Sequence, residues 1–186
     1  MDSKVFTFFA RKKDGFQLSN FYECKVVVDG HTYKSGEAAY HGMKFITIAE
    51  NIKDTDRVEE LKTYAKKFES NGEFGSLPQN EIKKKGGKST LKLSPKEQGI
   101  WTKKGPEVQK KICQYKYINH KEVRDTLMKT GDKFLVHPAM RVSNEKMADK
   151  IWEGRVIVDE EKNCMKVLGG NKLGKIWMDI RNKTHH

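Results

Sequence analysis

Hydrophobic positions fall in two rhythms along the chain. Val5–Phe9 and Cys24–Val28 are short, β-rich runs that read as strands. The second runs into Asp29-Gly30, beyond which His31-Thr32-Tyr33 resumes. An Asp-Gly pair between two such runs predicts a hairpin. From Gly36 the rhythm lengthens: Ala38, Gly42, Phe45, Ala49 and Ile52 make one stripe at close to the 3.6-residue period, predicting a helix from Gly36 to Glu50 with Ser35 as its N-cap. A second helix is expected over Asp56–Glu69, capped by Thr55 or Asp54 and stopped near Asn71-Gly72. Gly75 to Ser94 reads as a lysine-rich loop region. Gly105-Pro106 places a proline where a helix begins, with Val108, Ile112 and Tyr115 following at helical spacing. A further helix is expected over Lys121–Lys129, ending at a left-handed Gly131. Lys133–His137 is a short apolar segment, Met140–Trp152 has no clear period, and Arg155–Asp159 alternates like a strand. A last helix runs from Lys172 to Asn182 after a Gly169-Gly170 turn. The expected fold is α+β: a single mainly helical domain over residues 1–184 with a small antiparallel sheet. His185-His186 reads as a tag remnant without a role.

Length and composition narrow the class. The 186 residues suit one domain and can bury a sizeable core without staples. Mean hydropathy is low, at -0.79, yet nine Phe, six Tyr and three Trp exceed what a disordered chain carries. No run approaches the ~18 apolar residues of a membrane helix, so no membrane partner is expected. The opening MDSKVFTFFARKKDG has its apolar patch before its basic residues, the reverse of a secretory signal. Cys24, Cys113 and Cys164 are an odd, scattered set, which argues against a disulfide framework and a zinc site. The expectation is an intracellular protein, of cytoplasm or nucleus, with no metal and no cofactor.

Charge changes the picture more. The formal net charge is +12, and Glu81–Lys121 holds twelve Lys against three acids, a local balance of +9. Lys83, Lys84, Lys85 and Lys88 precede Trp101, and Lys103 and Lys104 follow it. Lysines interleaved with aromatics suit a polyanion whose bases can stack; a solvated lysine face without a ligand is the alternative. Lys lacks the guanidinium fork that reads bases, so any such binding should follow phosphates and not sequence.

The candidate chemistry lies on the first helix. Glu37 and Lys44 are seven apart, so they point within about 20° of one another and lie ~10.5 Å apart along the axis. Tyr40 and His41 sit between them on the same stripe. The two end groups can address one small substrate, or they simply complement the helix dipole. Asp149 and Trp152, three apart, are a second candidate pair. Gly169-Gly170-Asn171-Lys172-Leu173-Gly174 offers backbone amides at a helix start, where an anion can sit. It matches neither the dinucleotide fingerprint nor the P-loop.

In order, these pieces resemble the NADAR family, the YbiA-like N-glycosidases. FTFFARKKDGFQLSNFY is similar to the family's entrance at Ser19, Asn20 and Phe21, and SGEAAYHGMKF to its Glu-and-Lys helix at Glu37 and Lys44. Trp101 with the helix after it, Lys116-Tyr117 and LMKTGDKFLVH resemble the middle of the family. Asp149 and Trp152 fit an Asp-x-x-Trp motif, and GGNKLGKIWMDIR fits the closing motif. The likeness runs from about Val5 to Arg181. It departs at Ala38, where the family has His, at the inserted Gly36, at Glu153 and in the lysine-rich stretch.

The resemblance implies cleavage of an N-glycosidic bond at ribose C1. It assigns Glu37 as acid/base and Lys44 as an amine nucleophile forming a transient imine, with Asp149 holding a ribose hydroxyl or orienting Lys44. Ser19, Asn20, Phe21, Trp101 and Trp152 would line sugar and base, and the amides at Gly170 and Asn171 would approach the pyrophosphate. Among the substrates it implies, ADP-ribosyl-guanine in nucleic acid, as single-stranded DNA, suits the lysine excess best, with ADP-ribose as product. A phosphoribosylamino-pyrimidine of riboflavin synthesis is the second. A binding module for ADP-ribose or NAD without catalysis is a third reading, of another class.

Overall fold

A computed structural model describes residues 4–10, 13–87, 90–159 and 164–183. In chain order the elements are β1 (Val5–Thr7), a 3-10 turn (Phe16–Leu18), β2 (Glu23–Val28), β3 (His31–Ser35), α1 (Gly36–Ala49), α2 (Thr55–Lys66), α3 (Gln79–Lys85), α4 (Pro95–Asn119), α5 (Lys121–Lys129), β4 (Phe134–Val136), α6 (Asn144–Met147), β5 (Arg155–Asp159), β6 (Cys164–Leu168) and α7 (Lys172–Lys183). The fold is α+β and mainly helical. Its strands form three two-stranded ladders: antiparallel β2–β3 and β5–β6, and a parallel β1–β4 pair. Among the described residues no helix is long and apolar enough to cross a membrane. The chain divides into two compact units, Asn20–His120 and Met1–Ser19 with Lys121–His186.

The Asn20–His120 unit is built around α1. Thirteen of its fourteen residues are buried, so it is an internal helix and not a surface one with a single apolar stripe. The β2–β3 hairpin turns at Asp29 and Gly30, both in left-handed backbone (φ 47° and 86°), as the Asp-Gly pair requires. Ser35 ends β3 and accepts from the Ala38 amide at 3.1 Å, starting α1 where the sequence places it. Tyr33 is wholly buried against Gly42, where a Cβ would come within 2.6 Å of its ring. Beside α1 the rings of Phe45, Tyr64, Phe68 and Phe74 pack largely edge to face, with Phe45–Tyr64 at 4.9 Å and Phe68–Phe74 at 5.1 Å between centroids. Such pairs are worth about 0.5–1.5 kcal/mol each beyond the area they bury.

Three elements differ from the sequence expectation in this unit. α2 ends at Lys66 and not at Glu69, while Asp54, one of the two expected candidates, caps it. The 75–94 stretch holds α3, a two-turn helix with one buried residue, Ile82. The third long helix begins at Pro95, not near Pro106, which lies inside it. Its true start is a capping box: Ser94 Oγ accepts from the Glu97 amide, and the Glu97 carboxylate accepts from the Ser94 amide at 2.6 Å. Pro106 costs α4 one backbone hydrogen bond, and the helix carries on through it; beside it, a Cβ on Gly105 would lie 3.0 Å from the Trp101 indole. Glu97, buried, also takes a two-pronged contact from Arg57 (2.8 and 3.1 Å), and this guanidinium holds its carboxyl below the usual range. Glu97→Ala removes both the box and the pair. We expect it to cost about 2–3 kcal/mol, read as a lower midpoint in urea; a change under about 0.5 kcal/mol would mean α4 is held by its packing alone.

The other unit joins the two ends of the sequence. β1 pairs with β4 in register Val5↔Phe134 to Thr7↔Val136, and α7 lies against β4, where a Cβ on Gly174 would come 2.3 Å from the Leu135 carbonyl. Trp177, fully buried, donates to the Leu18 carbonyl at 3.0 Å. Arg181 donates to Thr130 Oγ1 (2.8 Å) and the Lys133 carbonyl (2.9 Å). Gly131 is left-handed (φ 52°), as expected for the end of α5. The unperiodic 140–152 segment contains the four-residue α6, and β6 is a strand that the sequence pattern did not announce.

Candidate active site

Glu37, His41 and Lys44 occupy successive turns of α1 and are 7%, 9% and 8% exposed. Three ionisable side chains on an otherwise apolar internal helix break the local rule for a core, which is where function is expected to lie. The His41 Nε2 and Glu37 Oε1 are 3.2 Å apart. Lys44 donates its Nζ to the Gly86 carbonyl and lies 4.5 Å from the centroid of the Phe45 ring. Burial pushes its amine down to about 8, with Glu37 pulling in the opposite direction. At neutral pH an appreciable share of Lys44 is therefore the free amine, the form that is nucleophilic.

The segment after α3 closes over this stripe. Gly86 ends α3, and a Cβ there would come within 2.1 Å of the His41 Cγ and Nδ1. Only glycine lets the backbone lie on the imidazole and still offer its carbonyl to Lys44. The neighbouring carbonyls are held by side chains: Tyr64 Oη donates to Lys85 O at 2.9 Å, and Thr90 Oγ1 to Lys85 O and Gly87 O at 2.6 and 3.0 Å. Sequence reasoning placed this glycine in a loop and gave it no role.

Asn20 anchors the other end of the stripe. Its carbonyl accepts from the Glu37 amide at 2.9 Å, satisfying one of the free donors at the start of α1. Its side-chain amide exchanges two hydrogen bonds with Gln109 of α4, at 2.9 and 3.0 Å. A Cβ on Gly36 would lie 2.8 Å from the Asn20 Oδ1, so the glycine before Glu37 is what admits this side chain. Gln109, 2% exposed, was missed in the sequence, where it is one polar residue among many on a long helix. Trp101 meets Tyr40 edge on at 4.9 Å between centroids, and Tyr40 meets His41 at 5.6 Å. Phe21 has the Lys83 ammonium 5.8 Å from its ring centroid. Lys116 is fully buried on α4, 5.8 Å from the Tyr22 ring, with its amine pushed down by burial.

The structure thus brings Glu37, Lys44, Asn20 and Trp101 around one helix. Ser19, Asp149, Trp152, Gly170 and Asn171 belong to the other unit. Ser19 is buried, Asp149 exposed and Trp152 half-buried. Asn171 is wholly buried, with its side chain spanning the His137 amide (3.1 Å) and the Leu135 carbonyl (2.8 Å). The expectation of free amides there needs correction. The amides of Gly170, Asn171, Lys172 and Leu173 donate to the carbonyls of Lys150, Glu153, Ile151 and Trp152. Those donors are already used to join the start of α7 to the 150–153 segment, so they offer nothing to a pyrophosphate. Of the basic residues, Lys83, Lys84, Lys103 and Lys104 are exposed and Lys85 is half-buried, while Lys88 lies outside the described residues. Among the described residues there is no group of three or more His, Cys, Asp and Glu placed to hold a metal ion.

The mainly helical α+β fold has a counterpart among solved structures. The NMR structure of the E. coli protein YbiA matches with a TM-score of 0.59, covering 100% of this chain and 87% of that one at 22% identity. No curated protein is a significant sequence match. The profile of the NADAR domain matches residues 7–185, and the chain belongs to the NADAR family, which is associated with N-glycosidase activity.

Proposed function

We propose that this protein removes ADP-ribose from guanine bases of nucleic acid. The observation that carries the reading is Lys44, an amine held near 8 by burial on the same helix stripe as Glu37. In the proposed cycle the neutral Lys44 amine attacks ribose C1. The N–C1 bond forms as the bond from C1 to the guanine nitrogen breaks, and the bonding pair leaves with the base. The ammonium produced gives a proton to the Glu37 carboxylate, which passes it to the departing nitrogen. The amine lone pair then opens the ring at the C1–O4 bond, O4 takes a proton from solvent, and a protonated imine is left, which returns a proton to solvent on hydrolysis. Water adds at C1, the amine departs, and the aldehyde closes again to free ADP-ribose.

The substrate class rests on charge. A small phosphorylated metabolite needs a few cations, whereas Lys83, Lys84, Lys103 and Lys104 lie exposed on α3 and α4. The proposed contacts beyond the nucleophile are a stacking surface at Trp101 and a wall at Asn20 and Phe21.

The test is a short single-stranded DNA carrying ADP-ribosyl-guanine, incubated with the parent chain and with Lys44→Ala. The expected outcome is free ADP-ribose from the parent only. Borohydride added during turnover should leave a reduced adduct on the peptide containing Lys44, read by mass spectrometry. Release without any trappable adduct would make Lys44 an electrostatic residue. No release would remove guanine in DNA as the substrate.

A further inference from the structure

We propose that His41 is a positioning residue for Glu37, a neutral imidazole with its proton on Nε2 that holds one carboxylate oxygen and leaves the other for the substrate. This rests on the glycosidase reading of the same site. The two ring nitrogens face different surroundings. Nε2 is 3.2 Å from Glu37 Oε1. Nδ1 is buried without a hydrogen-bond partner and is covered by the backbone of Gly86. The remaining walls are aromatic: Tyr40 at 5.6 Å and Phe68 at 6.1 Å between centroids.

A neutral imidazole carries one N–H, and what its other nitrogen meets decides where that proton sits. A proton on Nδ1 would be a buried donor with nothing to accept it, and orphaned N–H groups are rarer and more costly than unfilled acceptors. A proton on Nε2 instead meets a carboxylate, the stronger kind of acceptor. Oε1 is then committed to His41, and Oε2 is the oxygen that takes the proton from the Lys44 adduct and hands it to the leaving base. The i,i+4 spacing fixes this orientation within α1 itself. Gly86 locks the ring, and through its carbonyl it also holds Lys44. One loop residue therefore sets the rest positions of both reacting groups.

The tautomer is read directly by long-range proton–nitrogen NMR on protein with ¹⁵N-labelled histidine, the His41 signals being those that vanish in His41→Gln. The expected pattern is a protonated Nε2 and a bare Nδ1; a proton on Nδ1 overturns the proposal whatever the activity. Kinetics supply the second arm. With the ADP-ribosylated DNA substrate, His41→Leu is expected to lower kcat by about 10–100-fold with KM within roughly threefold, and His41→Gln, which keeps a side-chain N–H donor, to recover most of that loss. Equal losses in both variants, or none in His41→Leu, overturn the positioning role. If the parent chain shows no turnover on this DNA, that substrate fails and the tautomer alone decides the orientation of His41.

Discussion

A Lys44→Met variant is expected to lose at least about a thousandfold in turnover and to melt at a higher temperature than the parent chain. The loss follows from the proposed chemistry, since Met fills the same space over Phe45 but offers no amine to ribose C1. The gain follows from burial. Lys44 is 8% exposed and its amine is pushed from 10.5 down to about 8, so keeping it charged in the fold at neutral pH works against stability. A shift of that size corresponds to about 3 kcal/mol. Losing the donor to the Gly86 carbonyl returns ~1–2 kcal/mol of it. A net gain of about 1–2 kcal/mol is expected, or roughly 2–6 °C in Tm for a domain of this length. A variant that loses both activity and Tm would show that the amine is a structural bond to Gly86 more than a stored nucleophile.

The same burial sets two pH dependences of known sign. Because the folded value lies below the unfolded one, the folded chain binds fewer protons between about pH 8 and 10.5. The penalty is fully present below 8 and relieved as pH rises through that window. The parent should therefore gain on Lys44→Met in stability as pH climbs from 8 to 10.5. Turnover should rise close to tenfold per unit below about pH 8 and level off above it, as the free amine accumulates. A flat profile from 6 to 9 would remove Lys44 from the step that limits kcat/KM.

Much of this arrangement can be read in the sequence, for reasons that are local. The Asp29-Gly30 turn, the Ser35 cap and the start of α1 each depend on neighbours within a few residues, and all three stand where pattern and turn chemistry place them. The seven-residue spacing of Glu37 and Lys44 is equally local, and it puts both on one buried line. What escaped depends on distant partners. The parallel β1–β4 pair joins residues 5–7 to residues 134–136 and has no hairpin to announce it. α3 has a single buried residue, and its last three positions are lysines that complement the helix dipole and fill no core. Pro106 misplaced the start of α4 because a proline at a helix start and one tolerated inside a helix look alike. His41 was visible on the stripe, four residues after Glu37, but its importance appears only when Gly86 is seen against its ring. The glycines at 169–170 mark a real turn, yet the amides beyond them are taken by carbonyls that no motif specifies.

Affinity for single-stranded DNA should fall steeply with salt, and this separates a nucleic-acid substrate from a small phosphorylated one. Lys103 and Lys104 are exposed and have no carboxylate partner among the described residues. Lys84 pairs with Glu81 at 2.7 Å, but its side chain is 69% exposed, and such surface pairs are worth little enough to be exchanged for a phosphate. Lys83 lies by the Phe21 ring, where a base stacked on Phe21 would bring its phosphate within reach of the ammonium. If these four lysines each neutralise one phosphate, log K should fall with a slope of about -2.8 against log salt, or ~50-fold between 50 and 200 mM. Replacing Lys83 and Lys84 with Gln should flatten that slope by about 1.4, and so should replacing Lys103 and Lys104. Because ammonium groups meet phosphates as point charges, both double variants should weaken all sequences alike. A slope near zero in the parent would mean that the lysines are a solvated face. ADP-ribose release would then have to be sought from a small molecule, with Glu37, His41 and Lys44 unchanged in their roles.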